Sequence, residues 1–364
     1  MRRRDWISTM GAAVLTRRGW AAGKFRLALT GLVHGHARGF LRQLTARADV
    51  ELVGVAEEDT SLHDLYGKAF SLKPEIFFRD RDAMIEKTRP DAVAAFTSTF
   101  DHAAVVETCA KRKLPVMMEK PLAVNRIHAT RIAEAARAAS IPVVVNYETT
   151  WYRSHAALKR EVDSGALGAI RKMVAMDGHQ GPKEIGVGPE FFRWLTDPRL
   201  NGAGALFDFG CYGANLMTWL LGNRRPLAVT ALVATNKPAI YRAVDDEASV
   251  LVQYEGAQGI IQASWNWPVN RKDLEVYGER GYAHATGGNL LRVRRPGAKD
   301  DITPELPELP AEERDPVSYL MAVAQGRLKA DGLSSLENNL IATEILCAAR
   351  ESVRMGRTRE LRRG

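Results

Sequence analysis

From Phe25 onward, short apolar runs alternate with segments whose apolar residues recur at helical spacing. The runs at 26–30, 51–56, 76–78, 92–97, 114–118 and 142–146 read as strands. The segments 38–48 (Phe40, Leu41, Leu44), 62–70, 82–87, 103–112 and 129–138 read as helices. Strands that are apolar nearly throughout, each followed by a helix, predict a doubly wound parallel sheet buried on both faces.

After Asn146 the texture changes. A helix at 155–164 precedes longer runs at 170–177, 227–233, 248–254, 258–264, 273–277 and 281–285, in which apolar and polar residues alternate. Period two predicts a large, mostly antiparallel sheet with one covered face and one open face. Residues 296–315 are rich in Pro and acids and read as a surface excursion. The last helix spans 335–354, with Leu336, Leu340, Ile341, Ile345 and Leu346 on its apolar face. The chain therefore divides into a leader (1–24), an α/β domain (25–146) and an α+β domain (147–364).

Composition adds little to this picture, and charge mostly excludes. The net charge of +8 over 364 residues sits at the ends. Residues 1–24 carry six basic groups against Asp5, and residues 350–364 carry six arginines against two glutamates. The body between is close to neutral, which argues against a nucleic-acid groove. Cys109, Cys211 and Cys347 are far apart and lack metal-ligand spacing, so they read as small buried side chains. No apolar run reaches the length of a membrane span. The stretch Arg2-Arg3-Arg4-Asp5-Trp6-Ile7 and the apolar residues after it resemble a twin-arginine export signal. Arg17-Arg18 cuts that stretch short, and a small-x-small cleavage site is missing. The leader is either such a signal or a plain basic extension, and with it the location is either periplasmic or cytoplasmic.

The chemistry begins at Glu119-Lys120-Pro121, at the end of a predicted strand, where open α/β sheets bind ligands. Proline biases Lys120 towards an extended conformation, which aims its amine. Gly31-Leu32-Val33-His34-Gly35-His36 lies between the first strand and its helix, the place of a dinucleotide-binding turn. Its G-x-G-x-x-G fingerprint is damaged, because Val33 and His36 stand at the second and third glycines. A plain glycine turn would read the same. Glu57 comes 26 residues after Gly31, at the end of the second strand, where a carboxylate would accept hydrogen bonds from an adenosine ribose. Glu58 and Asp59 follow with no arginine nearby in sequence, so NAD(H) is expected over NADP(H). Thr97 and Ser98 end the fourth strand and His102 opens the next helix, over the same crevice; Thr99 or Asp101 could equally serve as helix caps.

In the second domain, Asp208, Tyr212 and Asn215 are spaced four and three apart, so they can share one helical face. Small neighbours (Gly202, Ala203, Gly204, Ala205) leave room there for a polyhydroxylated ligand. The bland reading is a capping Asp and a packed Tyr. Tyr147 and Trp151, at the start of the domain, and His179 are further candidates for substrate contact. Trp265 and Trp267 read as packing or interface residues. No metal site is predicted.

With these residues in place, the chain resembles the Gfo/Idh/MocA family, the glucose–fructose oxidoreductase and inositol dehydrogenase group, from about Phe25 to Leu361. The resemblance rests on Glu119-Lys120-Pro121, on Thr97 with His102, and on the Gly-Ala-Gly-Ala-Leu-Phe-Asp-Phe-Gly segment ending at Gly210. Much of the family has a histidine where this chain has Tyr212 and an aspartate where it has Asn215. The tyrosine variant resembles the glucose–fructose oxidoreductase and dihydrodiol dehydrogenase branch. The resemblance implies a Rossmann domain, Lys120 beside Tyr212 at a nicotinamide, and a homodimer or homotetramer formed through the C-terminal sheet. Chemistry agrees on the pair: a tyrosine removes a hydroxyl proton near neutral pH only if a nearby cation stabilises its phenolate. Tyr212 is therefore expected as acid/base and Lys120 as its electrostatic partner. The expected reaction moves hydride between a sugar, polyol or glycoside hydroxyl and NAD. Two alternatives use the same residues: a glycosidase that retains NAD through oxidation, elimination and re-reduction, and a non-catalytic NAD- or sugar-sensing protein.

Overall fold

A computed structural model of the protein describes residues 23–361, so the expectations for the leader lie outside the described residues. The first half forms a parallel sheet of β1 (Phe25–Thr30), β2 (Val50–Ala56), β3 (Phe77–Phe78), β4 (Ala92–Ala95), β5 (Val116–Glu119) and β6 (Val143–Asn146). The strand order is β3-β2-β1-β4-β5-β6. Every residue of β4 and β5 is buried, because helices cover both faces. The order reverses between β1 and β4, which opens a crevice beyond their carboxyl ends. Strand β5 runs one residue further than its apolar run, placing Glu119 opposite Asn146 of β6.

The second half is an eight-stranded sheet. Its strands are β7 (Ile170–Gly178), β8 (Ala228–Ala234), β9 (Glu247–Tyr254), β10 (Ala257–Ser264), β11 (Arg271–Gly278), β12 (Tyr282–Thr286), β13 (Leu290–Arg294) and β14 (Arg359–Glu360). They run in the order β13-β12-β11-β7-β10-β9-β8-β14, with β7 and β10 parallel and the other pairs antiparallel. In β9, Ala248, Val250, Val252 and Tyr254 are buried while Leu251 and Gln253 are exposed, the period of a sheet covered on one side. The cover is the helix Gly210–Leu220 with the helix Leu336–Met355 beside it. Gly213 permits the close approach: a Cβ there would lie 2.8 Å from Ile261 and 2.9 Å from Ala175. The open face presents Leu251 and, on β8, Leu232, which is 76% exposed.

Among the helices not legible in the pattern, two bear on the first half of the chain. Pro316–Ala324 is a nine-residue apolar run, too short for periodicity to separate helix from strand. It returns to the first sheet, where Val317, Leu320 and Val323 pack with Leu27, Leu29 and Met117. Asp315 caps it by accepting from the Ser318 amide at 2.8 Å. The second, Pro189–Leu195, lies against the glycine turn.

Candidate active site

Strand β5 carries Lys120 to the junction of the two halves. Its buried ammonium donates to Asp208 Oδ1 at 2.5 Å and to the Asp208 carbonyl at 3.0 Å. The other carboxylate oxygen of Asp208 accepts from the Trp265 indole N–H at 2.9 Å. Burial works against both charges, but the pairing outweighs it: the Lys120 pKa is raised and the Asp208 pKa is lowered. Lys120 is thus an ammonium donor rather than a free amine.

Tyr212 lies in the first turns of the helix Gly210–Leu220. Two ammoniums face its ring, Lys120 Nζ at 5.0 Å and Lys272 Nζ at 5.3 Å from the centroid. Burial, and then the charge of Glu148, push the phenol well above its ordinary value. The phenolate expected beside a lysine is therefore replaced by a neutral phenol, because burial and the neighbouring Glu148 carboxylate outweigh the two ammoniums. A cavity of about 640 Å³ opens over these groups, lined by Lys120, Asp208, Tyr212, His179, Glu148 and Lys272, and by Gly35 and His36 from the glycine turn. His179 accepts the Gly181 amide on Nδ1 at 2.9 Å, which leaves the proton on Nε2. Burial lowers its pKa.

A second cleft of about 240 Å³ sits over the crevice, lined by Gly31, Val33, Glu57, Glu58, Thr97, Arg79 and Arg81. Gly31 has φ +82°, and a Cβ there would meet Thr97 Cγ2 at 2.6 Å, so this glycine is required. Glu57 accepts from the amides of Leu32 at 2.7 Å and Asp59 at 3.0 Å, fastening the turn to β2. The His34 amide donates to Phe96 O at 3.0 Å, and the His36 amide to His34 Nδ1 at 3.1 Å. With the Gly31 amide on Ala56 O at 2.7 Å, four amides of the turn are thus already engaged within the protein. The cleft still suits a nucleotide, since Gly31, Glu57 and Thr97 stand at the switch point with a carboxylate facing the space. The arginine-free surroundings expected from sequence are not found: the chain after β3 brings Arg79 and Arg81 across from Glu57 and Glu58. Asp59 contributes less than expected, because its carboxylate caps the helix Thr60–Phe70 through Ser61.

Beneath the turn, His36 Nδ1 lies 2.9 Å from Glu119 Oε2, and Glu119 Oε1 accepts from Asn146 Nδ2 at 2.7 Å. His34, His36 and Glu119 come within 4.8 Å of one another, close enough to consider a metal. The His36 amide occupies His34 Nδ1, so the proton sits on Nε2 and leaves no lone pair there for an ion.

Comparison with known proteins settles the family. The oxidoreductase-family model with an NAD-binding Rossmann fold matches residues 25–147, and the GFO/IDH/MocA C-terminal domain model matches residues 155–284. The chain belongs to the Gfo/Idh/MocA family. It is 24% identical to the D-apiose dehydrogenase of Rhizobium rhizogenes, over 87% of this chain and 93% of that one. It is 32% identical to the myo-inositol 2-dehydrogenase of Thermotoga maritima, over 56% of this chain and 59% of that one. An inositol dehydrogenase homologue from Azotobacter vinelandii, solved with NAD+, shares the fold at a TM-score of 0.80 and 20% identity, covering 93% of this chain and 98% of that one. The protein is accordingly an oxidoreductase of this family with a nucleotide-binding Rossmann fold.

Several residues of this Gfo/Idh/MocA chain take places other than those expected. Asp208 ends a short helix, Ala205–Asp208, and Phe209 separates it from the helix bearing Tyr212 and Asn215. Asn215 turns away from the cavity and donates to Leu333 O at 2.8 Å, in a knot with Asn338 and Asn339. A helix buried on all sides must satisfy its polar side chains from its neighbours. Tyr147 sits behind Tyr212, edge-on at 5.4 Å, and does not line the cavity. Trp151 donates to Asn146 Oδ1 at 3.1 Å and packs on Tyr319. His102 meets the Leu122 carbonyl at 3.1 Å, steadying the chain after Pro121 rather than facing the crevice. Ser98 donates to Asp101 at 2.6 Å, as a helix-start contact. His34 is buried between His36, Phe191 and Trp194. Glu119 is buried beneath the turn as a buttress. Trp265, expected as a packing or interface residue, is wholly buried and donates to Asp208 at the site. Sequence reasoning passed over Asp177 and Lys272, and reached Glu148 only as a member of the candidate stretch 146–152. The available signal was Lys272 in register with Leu274 and Val276 on a covered strand face, where a lysine is costly.

Proposed function

We propose that the protein moves hydride between a hydroxyl-bearing carbon of a sugar or polyol and NAD, with Lys120 and Tyr212 at the reacting oxygen. The observation that carries this reading is the buried Lys120–Asp208 pair next to Tyr212, in a cavity whose other wall is the glycine turn. Bound nicotinamide supplies the hydride donor or acceptor; Gly31, Val33, Glu57 and Thr97 would hold its nucleotide. Lys120, fixed as a cation by Asp208 and backed by Trp265, donates to the substrate oxygen and favours the charge that builds there as the C–H bond breaks. Tyr212, a phenol at rest, gives its proton to that oxygen in reduction; in oxidation it must first lose that proton to solvent, and its phenolate then takes the proton of the substrate hydroxyl. A raised phenol pKa keeps the donor form at neutral pH, so reduction runs well there while oxidation gains as pH rises. His179, which lines the same cavity with its proton on Nε2, would orient a second hydroxyl.

Glu57 and Glu58 support NAD over NADP, by a margin that Arg79 and Arg81 narrow. Calorimetry checks this: NADH should bind more tightly than NADPH, and the reverse order removes the assignment. The same reading puts a second copy against the open sheet face, supported by exposed Leu232 and Leu251; a monomer by light scattering counts against it. For the reaction itself, wild-type protein with NAD+ should form NADH from a sugar or polyol. Cleavage of glycosides without net NADH would favour the retained-cofactor glycosidase instead.

A further inference from the structure

Tyr212 is flanked by two lysine–carboxylate pairs, and only Lys120–Asp208 has a role so far. The other joins Lys272 of β11 to Glu148, Nζ to Oε2 at 2.8 Å. Both residues line the cavity. Lys272 is 8% exposed, and among the described residues its ammonium has no other hydrogen-bond acceptor, so two N–H groups remain unspent. Glu148 Oε1 already accepts one hydroxyl, that of Tyr152 at 2.6 Å. Directly across from Lys272 in register stands Asp177 of β7, 1% exposed, with neither carboxyl oxygen bonded. A buried lysine and an unbonded buried carboxyl are both costly, and packing does not require them, since Leu274 and Ala175 fill the next positions on the same face. Such a group beside a cavity is built to be completed by a ligand.

We propose that Lys272 and Glu148 are a substrate-gripping pair that selects a vicinal diol. Lys272 donates to one hydroxyl oxygen while Glu148 accepts from that hydroxyl or its neighbour, and the adjacent carbon presents its own oxygen to Lys120 and Tyr212. This rests on the function proposed above and deepens it: the substrate must carry a second hydroxyl next to the one that reacts. A lone ammonium would serve a carboxylated substrate equally well, but Glu148 cancels its charge, so the pair fits neutral polyols better than sugar acids.

The test crosses enzyme variants with deoxygenated substrates. Wild-type protein, Lys272→Met, Lys272→Arg and Glu148→Gln are assayed with NAD+ on myo-inositol, D-glucose, D-xylose and methyl β-D-glucoside. The sugar that reacts is then compared with its analogue lacking the adjacent hydroxyl. The expected result is a KM raised about 10- to 100-fold in Lys272→Met, the range of a hydrogen bond to a charged group, with partial recovery in Lys272→Arg. NADH affinity by calorimetry should stay at the wild-type value, which also shows that the variants fold. Deoxygenation should cost wild type far more than it costs Lys272→Met. Equal losses in the two proteins overturn the proposal while leaving the hydride-transfer reading intact. If wild type oxidises none of these polyols, the reading falls and the proposal with it.

Discussion

The candidate nucleotide cleft and the candidate substrate cavity lie at the same sheet ends but are built in opposite ways. The cleft is made by local backbone: Gly31 with positive φ, a turn whose amides are engaged within the protein, and Glu57 tying it to β2. The cavity is made by side chains from distant elements, with Lys120 meeting Asp208 across 88 residues and Lys272 meeting Glu148 across 124. Damage to a backbone cradle loosens a ligand, whereas damage to a set of converged charges removes the chemistry. Substitutions in the two regions should therefore separate into changes of cofactor affinity and changes of turnover.

The largest expected effect is at Lys120. Lys120→Met should lower kcat about 10³-fold, the scale for losing a preorganised charge at the reacting oxygen. NADH affinity by calorimetry should stay within a few-fold of wild type; an equal loss of both would erase the distinction between the regions. Tyr212→Phe comes next, with a loss of about 10²-fold from removing a general acid or base. Wild-type oxidation should rise with pH towards the raised phenol pKa, and the variant's profile should be flat over that range. A retained rise would move the proton to another group. Third, Glu57→Ala should weaken NADH binding about tenfold by releasing the Leu32 amide, with kcat at saturating cofactor little changed.

The smallest effect concerns stability. Burial raises the Asp177 pKa well above the ordinary carboxyl range. A carboxyl that binds its proton more tightly when folded stabilises below its unfolded pKa, and that contribution is lost as pH rises through the folded pKa. Asp177→Asn, which keeps the shape without the charge, should melt a few degrees higher than wild type at pH 8, with the gap closing at pH 4. A constant gap across pH would mean that Asp177 is paired in solution.

Much of the cleft was legible because its determinants are local. Gly31 and Glu57 sit at fixed offsets within one strand–helix–strand unit, and Glu119-Lys120-Pro121 marks a strand end. The residues that complete the cavity were not. Trp265, just past β10, backs Asp208, and Lys272 reaches the cavity from β11; no spacing in the sequence pairs β11 with the chain after β6. Asn215 shows the converse error: helical spacing from Tyr212 was sound, but the neighbouring helix Leu336–Met355, not the cavity, claimed its side chain. Arg79 and Arg81 approach Glu57 only because β3 pairs beside β2, bringing distant sequence to one edge.

The most direct test follows reduced nicotinamide by absorbance as wild-type protein and Lys120→Met meet NAD+ and polyols deuterated at carbon. The account predicts NADH formation by wild type from at least one polyol, slowed by deuterium at the oxidised carbon and lost in Lys120→Met. NADH formation that persists undiminished in Lys120→Met, or bound polyol that never yields NADH, would contradict it.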